Sequence, residues 1–334
     1  MNKKLFLVLT TLSTVLFSCY KDIDMEEYRP EPDLVLNGVI SADTNIMLSI
    51  SRTKFFTDTS RYEIIKEAGV SLFVNGTFQE HLQWIDDNSF YGGGIYSSSY
   101  KPKTGDIIKL ETTTTYGEAW VEETIPAKVP VENVTFSHKL IYDHTSYNVD
   151  SNGNIVEVPT IEITYRITFT DKAETANYYF IRIDNPRPPF EDLGNLDYSA
   201  EPVFVEQVSV VDGLFGDKTI QGQGGRSFTD NLINGKHYTL VIKETLPGGS
   251  YNYAPAWDRR IILYSITKSY HNYLTSMQLS ADAKNSTNLS TFGFTEPVRI
   301  FTNIHGGVGI MATSQHDIVL TNLKDYLNIF LVFY

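Results

Sequence analysis

The chain predicts a mainly β fold built as two β-sandwich units, the second larger and carrying one long α-helix. Three observations lead there. Short runs rich in Val, Ile, Tyr, Phe and Thr recur, and Gly, Pro, Asn and Asp turn signals cut them apart. The chain holds 21 Tyr and 19 Phe, residues that suit a half-buried pleated surface. Its 334 residues suggest two domains. Ile125-Pro126 and Val129-Pro130 interrupt pairing, since Pro cannot donate to a ladder. The division is expected there, with a first sandwich over 31–128 and a second domain over 131–334.

The start of the chain has the layout of a secretory signal over residues 1–18. Lys3 and Lys4 precede an apolar stretch from Leu5 to Phe17, too short to span a bilayer. Leu16-Phe17-Ser18-Cys19 resembles a bacterial lipobox, with a bulky Phe17 at the second position. Cys19 is the one cysteine of the chain, so no disulfide within the chain competes for it. It is therefore read as the lipidation site, and as a chance cysteine after an ordinary signal otherwise. Residues 19–30 are expected to form an acidic, flexible tether. Its opening, Lys21-Asp22-Ile23-Asp24 with Glu26 and Glu27 beyond, resembles a signal for export to the outer face of the outer membrane. A plain solvated linker is the alternative.

In chain order, Leu34–Ile40 opens the first unit. Val70–Val74, the turn Asn75-Gly76 and the return Thr77–Trp84 form a hairpin, because both turn residues must take positive φ. Ile107–Thr114 and Ala119–Thr124 come next. In the second unit Val131–Leu140, a hairpin across Asn152-Gly153, Ile161–Phe169, Tyr178–Ile183, Val203–Val211 and Tyr238–Ile242 read as strands. The helix is expected over about 257–279, where Ile262, Ile266, Tyr270, Tyr273 and Met277 fall at helical spacing. Leu232-x-x-Gly235-x-x-Tyr238 matches the tyrosine corner of immunoglobulin- and fibronectin-like sandwiches, whose hydroxyl ties back to the backbone. Lys103-Thr104-Gly105-Asp106 with Ile108 is a looser copy.

The chemistry legible in the sequence is sparse. The formal charge of −13 becomes −15 without Lys3 and Lys4, which argues against nucleic acid as a partner. No nucleophile elbow, zinc-protease motif or phosphate-binding glycine loop occurs. The seven histidines lack metal-ligand spacing, so no catalytic residue, metal or cofactor is assigned. A carboxylate pair, which carries no local signature, stays open. Asp150, Asn152 and Asn154 are spaced like a calcium loop but lack its closing acidic ligand, and the hairpin is preferred. Two long loops, 185–202 and 247–257, offer Phe190, Tyr251, Tyr253 and Trp257 as ligand-binding candidates. The competing reading is that these rings cover the sandwich ends.

The run Glu296-Pro297-Val298-Arg299-Ile300-Phe301-Thr302-Asn303-Ile304-His305-Gly306-Gly307-Val308-Gly309-Ile310 resembles the C-terminal signature of a Bacteroidota lipoprotein family catalogued as domain of unknown function 4249. Leu34–Ile40 and Thr124-Ile125-Pro126 resemble its opening strand and mid-chain marker. Met311 stands where Phe is common. The resemblance implies an outer-membrane lipoprotein, often encoded beside a TonB-dependent transporter, and transfers no site residue. The expected function is a surface-exposed, non-enzymatic accessory or ligand-binding partner of such a nutrient transporter. A surface adhesin or structural protein is the alternative, and a surface hydrolase comes third.

Overall fold

The computed structural model describes residues 24–59, 63–86, 93–142, 144, 147–149, 152–173, 175–186, 195–205, 225–246, 257–285 and 298–327. Its first half contains β1 (Leu34–Ile40), β2 (Met47–Arg52), β3 (Gly69–Val74), β4 (Thr77–His81), β5 (Gln83–Asp86), β6 (Gly94–Ser97), β7 (Ile107–Thr114) and β8 (Gly117–Thr124). The second half contains β9 (Asn133–Ile141), β10 (Tyr147–Val149), β11 (Ile155–Glu157), β12 (Thr160–Thr170), β13 (Tyr178–Asp184), β14 (Asn195–Asp197), α1 (Pro202–Val205), β15 (Arg226–Thr229), β16 (His237–Leu246), β17 (Asp258–Ile266), α2 (Lys268–Asn285), β18 (Val308–Asn322) and α3 (Lys324–Leu327).

Among the described residues the strands assemble into one eight-stranded sheet, β15-β13-β17-β18-β1-β2-β6-β5, two four-stranded sheets, β4-β3-β7-β8 and β14-β16-β12-β9, and the two-stranded β10-β11. Each four-stranded sheet covers one half of the large one. The first core joins Leu36, Leu48 and Ile50 to Leu72, Leu110 and Val121. The second joins Ile181, Ile261 and Leu263 to Ile163, Ile167 and Ile242. Period-two alternation places these rows, as in β3, where Val70, Leu72 and Val74 are buried and Ser71 and Phe73 are not. The mainly β, sandwich-like fold expected from the sequence is the one observed.

Among the described residues, strand β18 joins the two halves into one sheet. Val308–Thr313 of β18 pair in parallel with Val35–Ile40 of β1, and Ser314–Asn322 pair antiparallel with β17. The end of the chain therefore crosses the boundary expected at 128–131, and Ile304 and Met311 complete the first core. The glycines of the signature allow this insertion. A Cβ would stand 2.4 Å from the Glu118 carbonyl oxygen at Gly306, 2.5 Å from that of Leu34 at Gly307 and 2.2 Å from that of Leu36 at Gly309. A side chain at any of them would push β18 off its neighbours.

Local chemistry sets the remaining elements. Asn75 (φ 52°) and Gly76 (φ 79°) make the hairpin turn that Asn-Gly predicts. The returning strand is shorter than expected: it breaks at buried Leu82, so β4 stays in one sheet and β5 joins the other. Gly153 (φ 83°) lies between β10 and β11, so this hairpin also forms, while Asp150 lies outside the described residues. The helix differs from expectation. Residues 258–266 are strand β17, and the helix runs over Lys268–Asn285. Strand β17 is central in its sheet, so Ile261, Ile262 and Leu263 are buried on both faces. A strand covered on both sides loses its alternation and imitates a helical stripe.

The tether also differs from residue 24 onward. Met25–Tyr28 form a 3-10 turn capped by Asp24. Arg29 bonds both Glu26 and Asp58 and lies 4.8 Å over the Phe55 ring. Glu26 and Arg29 are exposed and Asp58 is half-buried, so these pairs orient the segment more than they stabilise it. The corner at Tyr238 departs from its template too. Leu232 is exposed and Ile233 is buried in its place. Gly235 (φ 69°) turns the chain, and the Tyr238 hydroxyl donates to the Glu201 carboxylate rather than to backbone.

Candidate functional site

Of the residues singled out in the sequence, Cys19, Phe190, Tyr251 and Tyr253 lie outside the described residues. Trp257 does not line a binding loop. It is 1 % exposed and belongs to the second core, and the Leu323 N–H donates to its carbonyl at 3.0 Å. It precedes a central strand whose inner row it extends, which explains why an aromatic stands there.

Several buried ionisable groups of the second sandwich bond one another. Arg259 Nε donates to Glu244 Oε2 at 3.0 Å and to the Tyr165 hydroxyl at 3.1 Å, and Nη2 donates to Glu244 Oε1 at 2.8 Å. The Tyr165 hydroxyl donates to Glu244 in turn. Burial, and then the Glu244 charge, push the Tyr165 hydroxyl well above its ordinary pKa. Burial opposes the Arg259 charge, but the neighbouring Tyr165 and Glu244 oxygens outweigh it and hold that pKa high. Glu201, raised by burial, accepts from Tyr238 and from the Val241 N–H at 2.7 Å. Asp171 accepts from Tyr179 and, at 2.8 Å, from the Gly235 N–H. These side chains are all buried or half-buried, and they bond one another and neighbouring backbone N–H groups. Such satisfied polar sets rigidify a core.

The outer face of sheet β4-β3-β7-β8 is different. Its inner rows, Leu72, Leu110 and Val121, point into the core, so the residues between them point out. Phe78 stands opposite Phe73, Phe73 opposite Lys109, and Glu111 opposite Trp120. Phe78 is 49 % exposed and Trp120 41 %. The Phe73 and Phe78 rings meet edge-on at 5.7 Å. Lys109 Nζ sits 5.1 Å from the Trp120 ring and 5.9 Å from Phe73, while Glu111 holds it at 2.6 Å. On its far side Trp120 stacks on His305, with centroids 3.9 Å apart and planes within 10°. Paired backbone bonds of 2.9 Å join the same two residues.

The array is thus held at both ends, by β4 on one side and by the signature segment on the other. It presents rings, an ammonium and a carboxylate on a rigid, open surface. Such a surface can hold a large partner by ring contact and short polar bonds. Sequence reasoning missed it, although the signal was there: Trp120 sits between Ala119 and Val121, and the phase of that strand turns it outward. Among the described residues no group of His, Cys, Asp and Glu is placed to hold a metal, and no helix is long and apolar enough to cross a membrane.

No curated protein and no solved structure matches the chain. A family model does, over residues 21–317, a span that takes in β1, the proline boundary and most of β18. The chain belongs to the family described as domain of unknown function 4249.

Proposed function

We propose that this protein is an outer-membrane lipoprotein, anchored through Cys19 and facing outward, that serves as a non-enzymatic accessory or ligand-binding partner of a TonB-dependent nutrient transporter. The observation that carries this reading is the short stretch of chain between Cys19 and the first described residue. The turn at Met25–Tyr28 is tied to Asp58 through Arg29, so only residues 20–23 separate Cys19 from Asp24, the first described residue. Five steps of chain reach at most roughly 17 Å. A lipid on Cys19 would therefore hold the first sandwich near the bilayer surface, within reach of a barrel beside it. An adhesin is better served by a long stalk that projects its binding face outward.

Purification of the native lipoprotein in mild detergent, with mass spectrometry of what accompanies it, tests the proposal. A TonB-dependent barrel should be recovered with it. Its absence, under conditions where known transporter–lipoprotein pairs survive, would refute the proposal, and binding of the isolated protein to host or matrix material would turn it toward adhesion.

A further inference from the structure

Along β8, Ala119 and Val121 are buried in the first core, so Glu118, Trp120 and Glu122 between and beside them share the outer face of the sheet. Glu118 and Glu122 are exposed and flank the Trp120 ring. On β7, Thr113 stands opposite Glu118, Glu111 opposite Trp120 and Lys109 opposite Glu122. The outward rows of these two strands thus set one ammonium against three carboxylates. Lys109 is held by Glu111. Among the described residues neither Glu118 nor Glu122 has an ion-pair partner.

This arrangement selects among ligands. A sugar stacks on a free aromatic face, but Trp120 has His305 on one side and the Lys109 ammonium over the other. The largest ring therefore offers its edge. The Lys109 head already sits between the Trp120 and Phe73 rings and a carboxylate, so the face accommodates a cation of its own in this geometry. Phe73 and Phe78 add apolar area on the two strands beyond β7. Long basic side chains match both needs, since their stems cover apolar surface while their heads stay polar. Opposite charge across such a contact steers the encounter and fixes its register.

We propose that this face docks a basic segment of a protein partner, whose arginine or lysine heads pair with Glu118 and Glu122 while its apolar side chains cover Phe73 and Phe78. Under the function proposed above, that segment belongs to an extracellular loop of the transporter, and the inference rests on that reading for the partner's identity alone. Anisotropy of a short labelled peptide of alternating arginine and leucine, titrated with the purified full chain, tests the chemistry with no transporter present. Glu118→Gln/Glu122→Gln should weaken its binding by at least about threefold at low salt, each exposed pair being modest, and added salt should shrink the difference. Glu27→Gln/Glu31→Gln removes the same charge from the N-terminal segment and should leave binding unchanged. Equal losses in the two double variants would overturn the proposal. So would equal binding of a glutamate–leucine peptide, or binding of maltoheptaose where the arginine peptide fails to bind. Barrel recovery separates this inference from the proposed function. Equal barrel with the wild type and with Glu118→Gln/Glu122→Gln would overturn the docking chemistry alone. Peptide discrimination with no barrel from either form would support that chemistry and refute the function.

Discussion

Arg259 and Glu244 meet as a two-pronged ion pair inside the second sandwich, with side chains 1 % and 0 % exposed. Removing one member leaves the other charge buried without its counterion. Glu244→Ala should therefore destabilise the protein by about 3–5 kcal/mol, and Glu244→Met with Arg259→Met should recover most of that. Urea unfolding midpoints check it. A double variant no better than the single one would show that the pair itself, rather than the orphaned charge, carries the stability.

Gly309 combines a φ of 112° with a Leu36 carbonyl oxygen 2.2 Å from where a Cβ would lie. Gly76 has a φ of 79° and nothing within 4 Å. Gly309→Ala should cost well above 2 kcal/mol and part β18 from β1, whereas Gly76→Ala should cost about 1–2 kcal/mol, the backbone strain alone. Thermal melts of the two variants separate close approach from strain. Equal losses would contradict the role given to the signature.

Much of the fold was legible because local chemistry and global packing agree. Asn75-Gly76 demanded its hairpin, and Ile161–Phe169 alternates cleanly because β12 is buried on one row and bonded on both edges. The failures share a cause. Ile261–Leu263 sit in a strand covered on both faces, so period two is erased. The parallel pairing of β1 with β18 links residues nearly a whole chain apart, and no local pattern announces it. Trp120 was visible as a strand residue, but its partner His305 arrives only through that same long-range pairing.

His271, on α2, is 7 % exposed and packs at 5.3 Å from the Tyr178 ring. Burial lowers its pKa from 6.5 to about 4. The unfolded chain therefore binds this proton first as the pH falls. The stability tied to neutral His271 is present above pH 6.5 and lost progressively down to about pH 4, up to about 3 kcal/mol. Glu201, raised by burial, acts in the opposite direction, so the comparison must be between variants. His271→Leu should flatten the stability difference between pH 7 and pH 4.5 relative to the parent chain. An unchanged slope would mean that His271 titrates normally.

Trp257 separates the core reading from the loop reading. As a core residue, Trp257→Ala should cost about 3–5 kcal/mol. Trp257→Phe, which keeps most of the ring volume, should cost under about 2 kcal/mol and leave partner binding unchanged. Calorimetry and pulldown on the same preparations read both. Lost binding with intact stability in Trp257→Phe would return this residue to the site.

The outer face of the first sandwich is the proposed partner contact, and recovery of the transporter is its most direct measure. The quantity to compare is the amount of TonB-dependent barrel that accompanies the wild-type lipoprotein and a Phe78→Ser/Trp120→Ala double variant in mild detergent. Both side chains are substantially exposed, so the variant should fold with its core intact. Abundant barrel should accompany the wild type, with at least a tenfold loss for the variant, since central aromatic contacts dominate such interfaces. Full recovery with the variant would remove this face from the interface. No barrel with either form would contradict the proposed function.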